Sequence, residues 1–377
     1  MKAIDKKEIL ICLGAGISQL SLIKVAKKEG HLIIGIDRNS KASGVKYLDE
    51  FIKISTYKTK NIISKLMSFQ NRYKFSGLIA RTSGPALKTA GSIAETFNLN
   101  GLTHDIIPLA IEKSSLRNFC CQNNLPVAKG IKVKSYKSFN NEFVMPIIIK
   151  PDIPLVGKKD VQVLQNLSSV RLAIKNACQS SGNGYAEIEE YVDGFDVACL
   201  FWLKKGRVKI LTYWDELVGV ENNGIIKGLG SSVPSVIIGT KVEKKVEALI
   251  FKLGSFFPSV NGLIILSLRV NIDGLPCIIE LHADLGGDLI AEKLFRYADK
   301  NFNYFKKVIL ITCGKKVCLS SLVPKFRPTS MLYRSRKKIT LYSSNNLKLN
   351  LKKTFSIIKK DKLKIIPKHY KWYKLLK

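Results

Sequence analysis

Lys150 closes the apolar run Pro146-Ile147-Ile148-Ile149-Lys150-Pro151. A lysine at the end of a buried strand must be neutralised or solvated, and a bound phosphate would neutralise it. Glu280, His282 and Asp284 alternate at the end of a second apolar run, so on a strand their side chains share one face. Two carboxylates and an imidazole on one face can hold a divalent cation. Oxygen ligands suit magnesium, whereas an imidazole suits manganese or zinc better. The same residues also fit a relic of a metal site, or a His282–Asp284 pair in a buried network. Gly14 and Gly16 lie between a strand and a helix, where backbone amides and the helix N-terminus favour an anion. No serine–histidine or cysteine–histidine nucleophile pattern is present.

These residues need elements to position them. From Glu8 to about Pro108, short apolar runs alternate with amphipathic stretches: ILICLG, HLIIGID, FIKIS and FSGLIAR as strands, with helices between. That alternation predicts a parallel α/β sheet with helices on both faces. Residues 101–129 read as a helical connection into a second domain. There, MPIIIKP, KDVQVLQ, AEIEEYV, DVACLFWLKKG and RVKILTYWDEL read as antiparallel strands carrying helices. The segment 262–284 reads as a hairpin turning at Asp273-Gly274. Lys227 falls in IIKGLGSSVPS, read as a long Gly/Ser loop. The boundaries expected are 1–108, 109–312 and 313–377, the last a small subdomain or partly ordered tail.

The chain has 377 residues, enough for two or three domains. No apolar run of about 18 residues occurs, so no membrane span is expected. The N-terminus lacks a signal-peptide pattern. Eight scattered cysteines, none in C-x-x-C, read as reduced thiols in a cytoplasmic protein. The net charge of +33 is mostly lysine, densest beyond Val323. It would attract polyanions without sequence preference. Joint richness in Ile, Asn and Lys fits biased base composition instead, so a nucleic-acid partner is not the expectation. Oligomeric state is not legible.

Two N-terminal loops have rival readings. Gly14-Ala15-Gly16, with Asp37 about twenty residues on, resembles a dinucleotide fingerprint, but Gln19 stands at the third glycine position. A tight turn or a small-substrate contact is the other reading. In Arg81-Thr82-Ser83-Gly84-Pro85, Ser83 caps the following helix, or Arg81 and the amides of Ser83 and Gly84 hold a substrate carboxylate or phosphate.

Four segments in order, over roughly 110–288, resemble the ATP-grasp superfamily. Glu112-Lys113 is similar to its entry segment, which would put Lys113 near the nucleotide; a solvated helix lysine is the alternative. Lys150 matches the lysine that meets the α-phosphate and the adenine edge. Gly157-Lys158-Lys159-Asp160-Val161 stands where a glycine-rich loop covers the phosphates, with Lys159 as its lysine and Asp160 in place of a glycine. Glu189-Glu190-Tyr191-Val192-Asp193-Gly194-Phe195-Asp196 resembles the hinge. The backbone of Glu190 and Val192 would meet adenine, Glu189 its amino group, and Asp196 the ribose. In the hairpin, Ser267 replaces a metal-binding glutamate and Glu280 matches the second. His282 and Asp284 take the places of an asparagine and an arginine. Gly286-Gly287-Asp288 matches a trailing glycine pair and acid. Arg269, on the face of Ser267, would supply the missing positive charge.

The resemblance implies a Rossmann-like N-terminal domain followed by a two-lobed α+β core. It implies ATP with Mg2+ or Mn2+, and a ligase joining small-molecule carboxylate and amine (or thiol) substrates through an acyl phosphate. A degenerate nucleotide-binding protein and a polyanion binder are the alternatives.

Overall fold

The computed structural model describes residues 6–140, 142–283, 285–287, 289–335 and 338–360. Its first sheet holds β1 (Lys7–Leu13), β2 (Leu32–Ile36), β3 (Glu50–Ile52) and β4 (Tyr73–Ile79) in the order β3-β2-β1-β4, all parallel. Helices α1 (Ile17–Lys28) and α2 (Thr59–Phe69) connect strands, and α3 (Pro85–Thr96) follows β4. The continuous apolar runs predicted burial on both faces, and the packing agrees. Leu10, Cys12 and Ile33 face α1 residues Leu22, Ile23 and Ala26. Ile9, Ile11, Leu13 and Ile34 face Ile62 and Leu66 of α2 and Ile93 of α3.

Helices α4 (Ile107–Ile111) and α5 (Lys113–Gln122) lead to a second sheet. It comprises β5 (Gly130–Val133), β6 (Ile147–Pro151), β7 (Gln162–Leu164) and β8 (Ala186–Glu190), antiparallel in the order β5-β8-β6-β7. Ile147 and Ile149 of β6 pack on Ala173, Ile174 and Ala177 of α6 (Val170–Gln179). Strand alternation turns Ile148 and Lys150 the other way. Ile148 joins Val161, Val163, Val218 and Ile226.

The third sheet has seven strands in the order β13-β12-β9-β10-β11-β14-β15. They are β9 (Gly194–Lys204), β10 (Arg207–Val220), β11 (Ile226–Val233), β12 (Asn261–Asn271), β13 (Pro276–His282), β14 (Thr329–Ser335) and β15 (Lys338–Ser343). Helix α7 (Lys241–Ser255) lays Val246, Ile250 and Leu253 on one face, against Phe201, Leu203 and Leu266. A π-helical segment (Ile290–Phe295), α8 (Arg296–Ala298) and α9 (Tyr304–Thr312) cover the other. Helix α10 (Leu347–Lys360) packs on the end formed by β14 and β15, through Leu351, Phe355 and Ile358.

Two sequence expectations change here. Strand β14 pairs antiparallel with β11, so the region from 313 lends two strands to the core sheet instead of standing apart. The Gly/Ser stretch holding Lys227 is strand β11, not a loop. Its glycines hid it, because glycine depletes strand propensity. The reason for glycine is visible at Gly230, whose φ is 150°. A Cβ there would lie 2.0 Å from the Met331 carbonyl oxygen on β14. Gly230→Val is therefore expected to lower stability by about 3 kcal/mol, measured by urea unfolding.

Candidate functional site

A cleft enclosing about 750 Å³, part of it open to solvent, lies between the second sheet and the β12–β13 hairpin. Lys113, Lys150, Glu189, Asp196, Arg269 and Glu280 all line it, as do the backbone segments at Glu190 and Val192. Residues up to 167 positions apart in sequence thus share one wall-to-wall space.

Lys150 is 4% exposed and donates to Glu189 across 2.6 Å. The register explains the pair. Ile148 lies opposite Glu189 and Lys150 opposite Glu187, so both acids stand on the inward face beside the lysine. Glu187 is fully buried and paired with Arg117 of α5. Burial nevertheless pushes its carboxyl up to about 7. Its second oxygen has no hydrogen-bond partner.

Helix α5 brings Lys113 to the opposite end of this row. Asp152, just past β6, accepts from the Ser114 amide at 2.8 Å and satisfies a free donor in the first turn of α5. The Lys113 amide in turn donates to the Asp152 carbonyl at 3.1 Å. Lys132 lies 2.7 Å from the same carboxylate. Burial opposes ionisation of Asp152, but Lys132, Asn183 and Ser114 together hold its carboxyl below the usual range. So anchored, the Lys113 ammonium reaches Glu280 at 2.8 Å.

Glu280 lies opposite Ser267 on the hairpin. Burial opposes its ionisation, yet the Lys113 charge, with His282 and Lys150 nearby, holds its carboxyl down to about 2. The His282 Nε2 lies 3.2 Å from the Ser267 hydroxyl and 4.0 Å from Glu280. Glu280 and His282 therefore share a face, as the alternation predicted. Asp284 and Asp288 lie outside the described residues, so the structure leaves the third member of the predicted trio untouched. Among the described residues no three metal-capable side chains converge. The pair of one carboxylate and one imidazole suits a divalent cation whose other ligands are phosphate oxygens and water.

No family model and no curated sequence matches this chain. Its backbone, however, superposes on solved enzymes over most of its length. The L-amino acid ligase from Bacillus licheniformis matches with a TM-score of 0.71 at 15% identity, covering 89% of this chain and 82% of that one. The chain has the ATP-grasp fold. The ADP complex of the Staphylococcus aureus N5-carboxyaminoimidazole synthetase matches at 0.70, with 12% identity over 94% of this chain and 97% of that one. The biotin carboxylase domain of the Hydrogenobacter thermophilus 2-oxoglutarate carboxylase, solved with MgADP and bicarbonate, matches at 0.66. Its identity is 15% over 86% of this chain and 74% of that one. Such identities establish a shared fold.

Within the ATP-grasp fold, other predicted residues fall differently. Arg269 does not supply a free charge to the hairpin. Its guanidinium grips both Asp196 oxygens, at 2.6 and 2.9 Å, and donates to the Val192 carbonyl at 3.3 Å. It also lies over the Tyr191 ring. Arg269 is thus a positioning residue for the hinge, and the catalytic role expected of it is corrected. Asp196 remains in the cleft, locked by that pair. Both partners are buried, so Arg269→Ala should cost about 3–5 kcal/mol by stranding the Asp196 carboxylate. Chemical denaturation would show this, and Asp196→Asn in the same background should recover part of it.

Lys159 is exposed, and it is its neighbour Lys158 that lines the cleft. Asp160 has a φ of 57°, the left-handed region that glycine ordinarily fills, which accounts for its place in a glycine position. Lys227 pairs with Glu221 on the surface.

The N-terminal loops are occupied by their own side chains. Asp37 accepts from the Ala15 amide at 2.9 Å, so the acid of the dinucleotide reading braces the glycine turn. Gln19 lies against Gly14 and bonds to the Arg81 carbonyl, filling the space of that turn. Gly14 and Gly16 therefore hold a tight turn around Gln19. Arg81 is 7% exposed and donates to Ser18, Gly286 and Glu292. Those bonds tie the first sheet to the hairpin exit and leave its guanidinium turned toward protein oxygens, not a substrate. Ser83 is exposed and does not cap α3; Gly84 is the N-cap, without a side-chain bond.

Sequence reading missed Asp152, Lys132, Arg117, Glu187 and Lys158. Asp152 had one legible signal, an acid two residues past a strand-ending lysine. Its partners lie 20 to 38 positions away and carried none.

Proposed function

We propose that the protein is an ATP-dependent ligase that joins a carboxylate to an amine. The observation carrying this is one cleft lined by Lys150, Lys113 and Glu280, with His282 4.0 Å from Glu280. Adenine would lie along the Glu190–Val192 backbone, with Glu189 facing its amino group and Asp196 its ribose. The phosphates would run past Lys150 toward Lys113, with Lys158 and Lys159 above them. A divalent cation, magnesium or manganese, would be held by Glu280 and His282, with Asp284 as a further candidate, and would neutralise phosphate charge there.

This chain's residues then act by positioning and charge neutralisation. Lys150 and Lys113 hold the phosphate oxygens as charge shifts toward the β-phosphate. The substrate carboxylate oxygen attacks the γ-phosphorus, the bond to the β-phosphate oxygen breaks, and ADP leaves. The amine nitrogen then attacks the acyl carbon, releases phosphate and loses a proton. The loops at Gly14, Gly16, Arg81, Ser83 and Gly84 would serve a substrate as framework and not as contacts, since Gln19 and Arg81 are bonded to protein oxygens. A division at residue 108 goes with this reading, with β14 and β15 of the region 313–377 belonging to the core sheet.

One observation favours a second reading, a nucleotide-binding protein without turnover. Ser267 stands where the fold's relatives are expected to carry a metal carboxylate, and Arg269 is committed to Asp196. Phosphate release from MgATP, measured with a panel of carboxylates and amines, separates the two. A ligase releases phosphate only when both substrates are present. Tight MgADP binding with no release under any pairing would favour the second reading.

A further inference from the structure

A second cavity, about 570 Å³ including its open mouth, lies where the first sheet and α3 meet the hairpin and α9. Its walls are apolar: Leu78, Ala80, Leu87, Ala90, Ala283 and Leu285 among them. Among the described residues no charged side chain lines it. Its two asparagines are already paired. The Asn261 amide donates to Asn100 at 2.7 Å, and the Asn100 amide donates to the carbonyls of Ile311 and Thr312 at 3.3 Å. A charged group entering this space would meet no opposite charge among the described lining residues.

The cavity's position matters as much as its lining. Ala283 follows β13 directly, three residues after Glu280, or about 10 Å of extended chain. Leu285 belongs to the same exit, and its carbonyl is held by the Tyr304 hydroxyl at 3.1 Å. On the opposite rim, Ala80 precedes Arg81, which donates to the Gly286 carbonyl at 2.9 Å. The mouth is thus framed by two segments that Arg81 fastens together, one running straight on from the proposed reaction centre. Three glycines, Gly91, Gly101 and Gly262, line it where neighbouring elements pack closely. A Cβ at Gly262, for instance, would come within 3.3 Å of Leu102.

We infer that this cavity is a specificity pocket that takes the apolar side chain of the substrate, selecting carboxylates with small branched aliphatic tails over those with charged tails. The inference rests on the ligase reading for the identity of the reacting group. The cavity's chemistry stands apart from it. An apolar pocket discriminates by size and loses steeply when a wall side chain grows into it.

The test is a thermal-shift titration of the full chain with MgADP present, using 4-methylpentanoate and glutarate as probes. MgADP is expected to raise the melting temperature, 4-methylpentanoate to raise it further, and glutarate not to. Ala80→Leu, at a half-exposed strand end, and Ala90→Leu, on α3, should each weaken the 4-methylpentanoate response about tenfold while keeping the MgADP shift. An equal response to glutarate overturns the pocket. So does an undiminished 4-methylpentanoate response in both variants, or no response in the parent protein. If MgADP gives no shift while 4-methylpentanoate does and the variants remove it, the nucleotide reading fails and the pocket stands.

Discussion

Lys150→Ala is expected to lower ATP-dependent turnover by about 10²- to 10³-fold, the range seen when one preorganised electrostatic contact to a reacting group is lost. Lys150 and Glu189 share a cleft with Lys113, Asp196 and Glu280. Lys150 is 4% exposed and shares its charge with Glu189, beside a Glu187 already pushed up to about 7 by burial. Removing the ammonium leaves Glu189 without its cation and turns the cleft more negative where phosphate must enter. Nucleotide affinity should therefore fall with turnover. Stability should fall too, by about 3 kcal/mol, because a largely buried carboxylate loses its partner. Lys150→Met with Glu189→Gln removes both charges at once. It should recover stability without recovering turnover, and that split separates a nucleotide contact from a structural ion pair. Calorimetric binding of MgADP alongside urea unfolding reads both quantities.

Glu280→Gln is expected to cut turnover by about 100-fold or more while MgADP binding weakens much less. The carboxylate faces Lys113 at 2.8 Å and His282 at 4.0 Å, the positions from which a cation and the phosphates it carries would be held. Its pH behaviour supplies an independent check. The carboxyl falls from an ordinary 4.5 to about 2 in the folded chain, so the unfolded chain binds more protons between those values. Its contribution to stability is therefore complete above about pH 4.5 and is lost as pH falls toward 2. The stability gap between the parent and Glu280→Gln should close over that interval, in acid titrations followed by far-ultraviolet dichroism. The acid limb of turnover near neutrality should not move with Glu280, because this group stays ionised there. MgADP binding that is the same in the parent and in Glu280→Gln, with no turnover in either, would point to the nucleotide-binding reading.

Much of the architecture was legible because local patterns agreed with tertiary demands. The run Ile9–Leu13 is apolar on both faces because helices cover both sides of β1. The Asp273-Gly274 turn is real, with Gly274 at a φ of 67° and the Asn271 side chain accepting from Asp273 and Leu275. Strand β11 escaped because Gly230 serves the close approach of β14, not its own strand propensity. The join of β14 to β11 pairs residues about 100 positions apart, and no local pattern encodes such a partner.

The site was legible in part, for a related reason. Lys150 and Glu280 announce themselves as charged residues on apolar strands, where a charge requires a partner. Which partner each has depends on register. Arg269 looked free in the sequence because nothing local shows that Asp196 lies directly opposite it on β9. Arg81 looked like a substrate ligand for the same reason, since Glu292 is 211 positions away. A cation's type can suggest a role, whereas its occupancy is settled only by packing.

Crystals soaked with a non-hydrolysable ATP analogue and manganese test the central claim most directly. The account predicts an anomalous manganese peak within coordination distance, about 2.2 Å, of a Glu280 oxygen. It also predicts phosphate oxygens within hydrogen-bond reach of Lys150, and adenine against the Glu190–Val192 backbone. Nucleotide bound outside this cleft, or manganese density remote from Glu280, would contradict it.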